Sequence, residues 1–129
     1  MKLAYAIVYV EDVAASLAFF EAAFGLPRRF LHESGGYGEV ETGATALAFA
    51  QHAVARANLG SDYVAAGTST LPLGIEVGLA CDDVPAAYQR ALAAGGHGLR
   101  EPATKPWGQV VAYVRCPDGT LVELCTPMG

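Results

Sequence analysis

Basic residues are scarce in this chain: eight Lys and Arg stand against 13 Asp and Glu, which gives a net charge of −5 at pH 7. Nucleic-acid binding depends on Lys and Arg that neutralise phosphates, and the few basic residues here are scattered along the chain. Long apolar runs are lacking too, since none approaches the roughly 20 residues that a membrane span needs. We therefore expect neither nucleic acid nor a membrane as a partner.

Cysteine is also rare, and its spacing is uninformative for metal binding. Cys81, Cys116 and Cys125 are odd in number and form no CxxC pair, which argues against a structural zinc site and favours reduced structural thiols. The N-terminal stretch MKLAYAIVYVED meets acidic residues too early for a signal peptide. These features together predict a cytoplasmic protein.

Apolar residues, in contrast, are abundant. They make up 53% of the 129 residues, while charged residues make up 16%. A chain of this length and composition can bury a core of its own, so we expect one packed domain.

The chain repeats itself. Residues 3–26 show the pattern of a strand, an acidic helix start, a helix and a glycine stop, and residues 73–96 show the same pattern. A shift of 71 positions brings the signature residues of the helix ends together: Asp12 onto Asp83, Val13 onto Val84 and Gly25 onto Gly96.

The repeat continues past the helices. Three strands are predicted after each helix, at 28–33, 37–42 and 45–50 in the first half and at 98–101, 109–115 and 120–125 in the second. Two repeats, at about 1–50 and 73–129, therefore form one α+β domain. Residues 51–72 have little periodicity and several turn formers, so we predict that they form a long connecting loop.

Two stretches carry a family resemblance: VYVEDVAASLAFFEAAFGL in the first half and VRCPDGTLVEL in the second. Together with the doubled strand-helix-strand-strand-strand unit, they resemble the vicinal oxygen chelate superfamily, which includes glyoxalase I, bleomycin-resistance proteins and extradiol dioxygenases. The resemblance implies two βαβββ modules that form a curled mixed sheet around a cleft. It also implies a small-molecule ligand and a homodimer.

The metalloenzymes of that superfamily place four ligands in the cleft, on the first and last strands of each module. Carried over to this chain, those positions are Tyr5, Ala48, Glu76 and Glu123. One of them has no donor atom, and a catalytic divalent ion needs at least three protein ligands. We therefore predict no cofactor; a divalent metal, if one is bound, would be held by Glu76 and Glu123.

Strand alternation places Glu123 among apolar neighbours on its own face, where a carboxylate needs a partner. Glu76 and Glu123, with Tyr5, Tyr9 and Trp107 in the same cleft, would suit a planar or cationic guest. Two alternatives without a role in ligand binding stay open. Glu76 could be a structural carboxylate, and Trp107 could simply pack on the sheet.

Two function classes follow. The first is a binding protein of the bleomycin-resistance type that sequesters an aromatic or cationic molecule without metal catalysis. The second is a metal-dependent lyase, isomerase or dioxygenase with an atypical ligand set. A third alternative is a cleft that serves only an unidentified metabolic partner. No Ser-His-Asp or Cys-His arrangement assigns a catalytic residue.

Overall fold

The computed structural model describes residues 1–128. Two βαβββ modules follow one another, as the repeat predicts. The first contains β1 (Tyr5–Val10), α1 (Val13–Phe24), β2 (Arg28–Leu31), β3 (Tyr37–Val40) and β4 (Ala46–Gln51). A short helix, α2 (His52–Leu59), comes next. The second contains β5 (Val77–Ala80), α3 (Val84–Ala93), β6 (His97–Thr104), β7 (Val110–Arg115) and β8 (Leu121–Cys125).

Both long helices begin as the sequence predicts, and α1 also ends as predicted, whereas the C-cap of α3 is Ala94, two residues before Gly96. Asp12 accepts a hydrogen bond from the backbone N–H of Ala15, and Asp83 accepts one from Ala86, each at 3.0 Å. Each aspartate thus satisfies an N–H that the first helical turn leaves unpaired. Gly25 ends α1 in the left-handed conformation, with φ 69°.

Each module forms its own four-stranded mixed sheet. The strand orders are β1-β4-β3-β2 and β5-β8-β7-β6, so the two sheets have the same topology. In both, the first and last strands of the module pair in parallel, while the other neighbours are antiparallel. The predicted fold class, with a mixed sheet in each module, is therefore confirmed.

One continuous core joins the modules. It contains the apolar face of α1, with Leu17 and Phe20 fully buried, and the apolar face of α3, with Val84 and Ala91 fully buried. Polar contacts reinforce the junction, because the Arg90 guanidinium Nε donates to the backbone carbonyl of Ala22 at 2.8 Å. Neither half could bury this surface alone, which explains why the repeats fold as a unit.

The prediction of a loop over residues 51–72 is wrong for its first part, because α2 occupies eight of those positions. This helix has only eight residues and Ala55 is its one buried residue, so it lacks the stripe of large apolar residues by which a packed helix is recognised in a sequence. We call residues 52–76 the connector. Beyond α2 it is irregular and docks against the turn between β7 and β8.

Two further expectations concern chemistry and membrane insertion. Cys81, Cys116 and Cys125 are all free thiols. Burial raises the pKa of the Cys116 thiol, which fits a packed side chain rather than a nucleophile. Among residues 1–128, no helix has the length and apolarity needed to cross a bilayer.

Candidate functional site

Alternation along β8 separates a helix-facing side from an opposite side. Val122 and Leu124 are buried in the core, whereas Leu121, Glu123 and Cys125 are only half-buried. Glu123 therefore lies on the sheet face opposite the helices, as strand parity predicts.

Glu123 has an acidic neighbour on that face. Glu76 immediately precedes β5, and Gly78 of β5 lies directly beside Glu123 in the parallel register. Partial burial and then the charge of Glu123 raise the pKa of Glu76. We call Glu76 and Glu123 the carboxylate pair.

A tyrosine holds one member of the carboxylate pair. The Tyr113 hydroxyl donates to Oε1 of Glu123 at 3.1 Å from the neighbouring strand β7. Burial and this hydrogen bond raise the pKa of Tyr113. Glu123 therefore has its hydroxyl donor in Tyr113, its direct cross-strand partner.

The equivalent face of the first module is built differently. Ala48 is fully buried in β4, between Ile7 of β1 and Glu39 of β3, and it offers no donor atom. Glu39 accepts a hydrogen bond from the Tyr37 hydroxyl at 2.8 Å and lies 3.6 Å from the Arg29 guanidinium. Burial and the hydrogen bond to Glu39 raise the pKa of Tyr37 to about 12. In the first module, therefore, the Glu39 carboxylate has both a hydrogen-bond donor and a neighbouring cation.

The remaining predicted residues are the three aromatic side chains of Tyr5, Tyr9 and Trp107. Tyr5, on β1, is 54% exposed, and Trp107, between β6 and β7, is 63% exposed. The Trp107 indole N–H donates to the Gln109 side chain at 2.8 Å. Tyr9 packs against Tyr63 of the connector, with ring centroids 4.8 Å apart. Within residues 1–128, no hydrogen bond joins any of the three aromatic residues to the carboxylate pair.

A pocket of about 240 Å³ lies between β1 and the start of β5, against the connector. It brings together two of the predicted residues, Tyr9 and Glu76, and Glu76 is its one charged lining residue. The other lining residues are Ala6, Ile7, Val8, Leu47, Tyr63, Val64, Ala66, Leu73, Ile75, Val77, Gly119, Thr120 and Leu121.

The donor set does not fit a catalytic divalent ion within one chain. Across residues 1–128, no three His, Cys, Asp or Glu side chains converge so that they could hold a metal. The carboxylate pair supplies two donors, and the alanine at position 48 supplies none. Two carboxylates leave a divalent ion short of the three protein ligands that catalytic sites use.

Three residues of these sites escaped sequence reasoning: Tyr113, Glu39 and Tyr63. For the first two, a signal was present, because alternation in YVR and YGEV puts both side chains on the face opposite the helices. What the sequence did not show was which strands would be neighbours. Tyr63 lies in the unpatterned connector, where no periodic signal exists.

Doubled modules with equivalent sheets and a pocket between them define a two-module α+β fold. The sequence model of the Glyoxalase/Bleomycin resistance protein/Dioxygenase superfamily matches residues 2–124. The chain therefore belongs to that superfamily. No curated protein matches its sequence.

Solved structures agree with this fold. A glyoxalase-related enzyme from Fulvimarina pelagi superposes with a TM-score of 0.83 at 22% identity, covering 100% of this chain and 93% of that one. A glyoxalase/bleomycin resistance protein/dioxygenase family enzyme from Burkholderia phytofirmans PsJN gives 0.81 at 19%, covering 99% and 100%. A protein of unknown function from Agrobacterium tumefaciens str. C58 gives 0.79 at 22%, covering 99% and 95%. At these identities the likeness shows the fold alone.

Proposed function

We propose that this protein binds an aromatic or cationic small molecule without metal catalysis, in the manner of the bleomycin-resistance branch of its superfamily. The observation that carries the proposal is the carboxylate pair: among residues 1–128 it has no cation beside it, and one of its members, Glu76, lines an apolar pocket.

The charge argument starts from what surrounds the pair. No Lys, Arg or His nitrogen within residues 1–128 lies within 4.0 Å of either carboxylate. Two like charges in a partly desolvated place repel one another and raise the proton affinity of the pair. A bound cation relieves that repulsion, so a positively charged guest gains more at this place than a neutral one.

The aromatic argument rests on the aromatic side chains that we propose share a cleft with the pair once two copies of the chain associate. The proposed cleft contains Tyr5, Tyr9, Ala48, Glu76, Trp107 and Glu123. Aromatic faces stack on planar rings and attract cations held within about 6 Å of the ring centre. Ala48 offers no donor atom at a position where the metalloenzymes of the superfamily carry a ligand.

We also propose that the protein acts as a homodimer. Tyr5 and Trp107 are large and exposed, and within residues 1–128 neither forms a hydrogen bond with the carboxylate pair. A second copy would cover them and unite the open face of one module with that of its partner. Light scattering at micromolar concentration is expected to give twice the chain mass of 13.4 kDa. A monomer would contradict this part of the proposal.

The binding proposal is tested by calorimetry with a matched probe pair at pH 7.5. We expect 1-naphthylmethylamine, which is cationic, to bind more tightly than neutral 1-naphthylmethanol. Glu123→Gln should weaken the amine by about tenfold, the size of one charge-assisted contact. Glu101→Gln, at an exposed position on β6, is the control and should change nothing. Equal affinities for the amine and the alcohol would contradict the argument that the carboxylate pair favours a cationic guest.

The metal-dependent alternative has its own test. The protein is exposed to nickel, zinc, manganese and ferrous iron, dialysed and analysed for metal. We expect no stoichiometric retention. If the wild type retains one equivalent of metal and Glu123→Gln loses it, the metal-dependent enzyme becomes the better hypothesis. Metal that is retained despite the substitution would indicate binding at surface sites.

A further inference from the structure

We propose that the pocket against the connector seats the apolar body of an amine-bearing ligand, with its ammonium group against Glu76 and Glu123. This inference rests on the proposed function and adds to it the place, size and shape of the guest. It describes one amphiphilic molecule rather than a polyamine or a bare ion.

The first step is the position of Glu76. This residue lines the pocket and also belongs to the carboxylate pair. Glu76 is the one charged residue of the lining, and Glu123, which does not line the pocket itself, lies beside Gly78, two residues after Glu76. A molecule in the pocket therefore meets the pair through Glu76 alone. One positive charge at one end of an apolar body matches that arrangement, whereas charges at both ends would leave an ammonium group desolvated among apolar side chains.

The second step is the character of the rest of the lining. Leu47 and Thr120 are buried, while Val64 and Ile75, at 71% and 76% exposure, form an apolar rim. Apolar side chains this exposed lose unfavourable contact with water when a guest covers them. The volume of about 240 Å³ is below the roughly 300–1,000 Å³ of drug-sized sites, so a guest of one or two rings fits.

The third step is the fixed position of the connector wall. The Tyr63 ring packs on Tyr9, hydrogen-bonds His52 through its hydroxyl and carries the Arg56 guanidinium 5.0 Å from its centre. Further along the connector, Arg115 of β7 donates to the carbonyls of Ala66 and of two residues beyond it. A wall held at both places needs little ordering when a ligand arrives, which favours affinity.

The experiment fills the pocket and leaves the carboxylates alone. Ala6 lines the pocket from an exposed position on β1, and Ala4 is equally exposed but does not line it. We expect Ala6→Leu to weaken 1-naphthylmethylamine by about tenfold or more and Ala4→Leu to leave it unchanged. Ethylamine, which has the charge and no ring, should bind at least about a hundredfold more weakly than the naphthyl amine.

A direct measurement supports the same test in the wild-type protein. Nuclear Overhauser contacts are expected between the naphthyl protons and the methyl groups of Leu47 and Val77. This readout decides the matter even where Ala6→Leu fails to fold.

The outcomes separate the two proposals. One outcome would reject the pocket but keep the proposed function: Glu76→Gln and Glu123→Gln lower the affinity for 1-naphthylmethylamine, Ala6→Leu does not, and no contact to Leu47 is seen. The amine would then bind the carboxylate pair outside this pocket. If none of these substitutions affects the amine, the proposed function itself fails.

Discussion

Gly119 and Gly43 form a matched pair that tests how the connector is held. Both glycines have φ 93°, in the region that disfavours other residues. A β-carbon added at Gly43 meets nothing within 4 Å, whereas one added at Gly119 would overlap the carbonyl oxygen of Ala66. Alanine at either position strains the backbone at the same φ and so destabilises the folded protein. Only Gly119→Ala also displaces the connector.

The expected loss of stability follows from the backbone strain and from the hydrogen bond that the connector loses. The backbone strain costs each variant about 1–2 kcal/mol. The Ala66 carbonyl accepts a hydrogen bond from the Arg115 guanidinium at 2.8 Å, so a shift that relieves the overlap also weakens this charge-assisted bond, which is worth about 1.5–3 kcal/mol. We therefore expect Gly119→Ala to be less stable than Gly43→Ala by about 2 kcal/mol.

Urea denaturation measures the difference directly. With an m-value of about 2 kcal/mol/M for a domain of this size, the two midpoints should differ by about 1 M. Gly119→Ala should also weaken 1-naphthylmethylamine, since the connector forms one wall of the pocket. Equal midpoints for the two variants would refute the reasoning, because they share the strain and differ only in the contact with Ala66.

Two further predictions concern Arg115 and Glu76. Arg115→Met should lower the free energy of unfolding by about 2–4 kcal/mol, because three carbonyls lose a charged donor, while Arg100→Met at an exposed position should stay within about 0.5 kcal/mol of wild type in the same urea assay. The pKa of Glu76 is raised in the folded state, so the folded protein binds that proton more tightly than the unfolded chain. Its share of stability is present below the unfolded pKa and is lost as the pH rises through the folded pKa. Relative to wild type, Glu76→Gln should therefore gain stability as the pH rises through the folded pKa of Glu76; a difference that does not change with pH would show that burial and the charge of Glu123 do not raise this pKa.

Much of the fold could be predicted because its signals are local. An aspartate that bonds an N–H three residues on, and a glycine that ends a helix, depend on only a few neighbouring residues. Asp12, Asp83 and Gly25 act in the structure as the sequence indicated. Strand faces were equally readable, since the two-residue period of β8 separates Val122 and Leu124 from Glu123.

The candidate site was less predictable because it depends on which strands become neighbours. Tyr113 reaches Glu123 through the antiparallel register of β7 and β8, and Glu39 lies beside Ala48 through that of β3 and β4. Alternation gives the face of a side chain but not its cross-strand partner. The helix α2 was missed for a different reason: it is short, and its one buried residue is an alanine, so no run of large apolar residues marks it in the sequence.

The two modules differ in how they treat a carboxylate on the same sheet face, and this difference supports the binding proposal. In the first module, Glu39 has a hydroxyl donor in Tyr37 and a cation in Arg29. In the second, Glu123 has the Tyr113 hydroxyl but an acid, Glu76, as its charged neighbour. A carboxylate with a cation on the protein needs no ligand to balance it, whereas an acidic pair gains from one. The compensating charge is therefore expected from a bound molecule, and at the second module rather than the first.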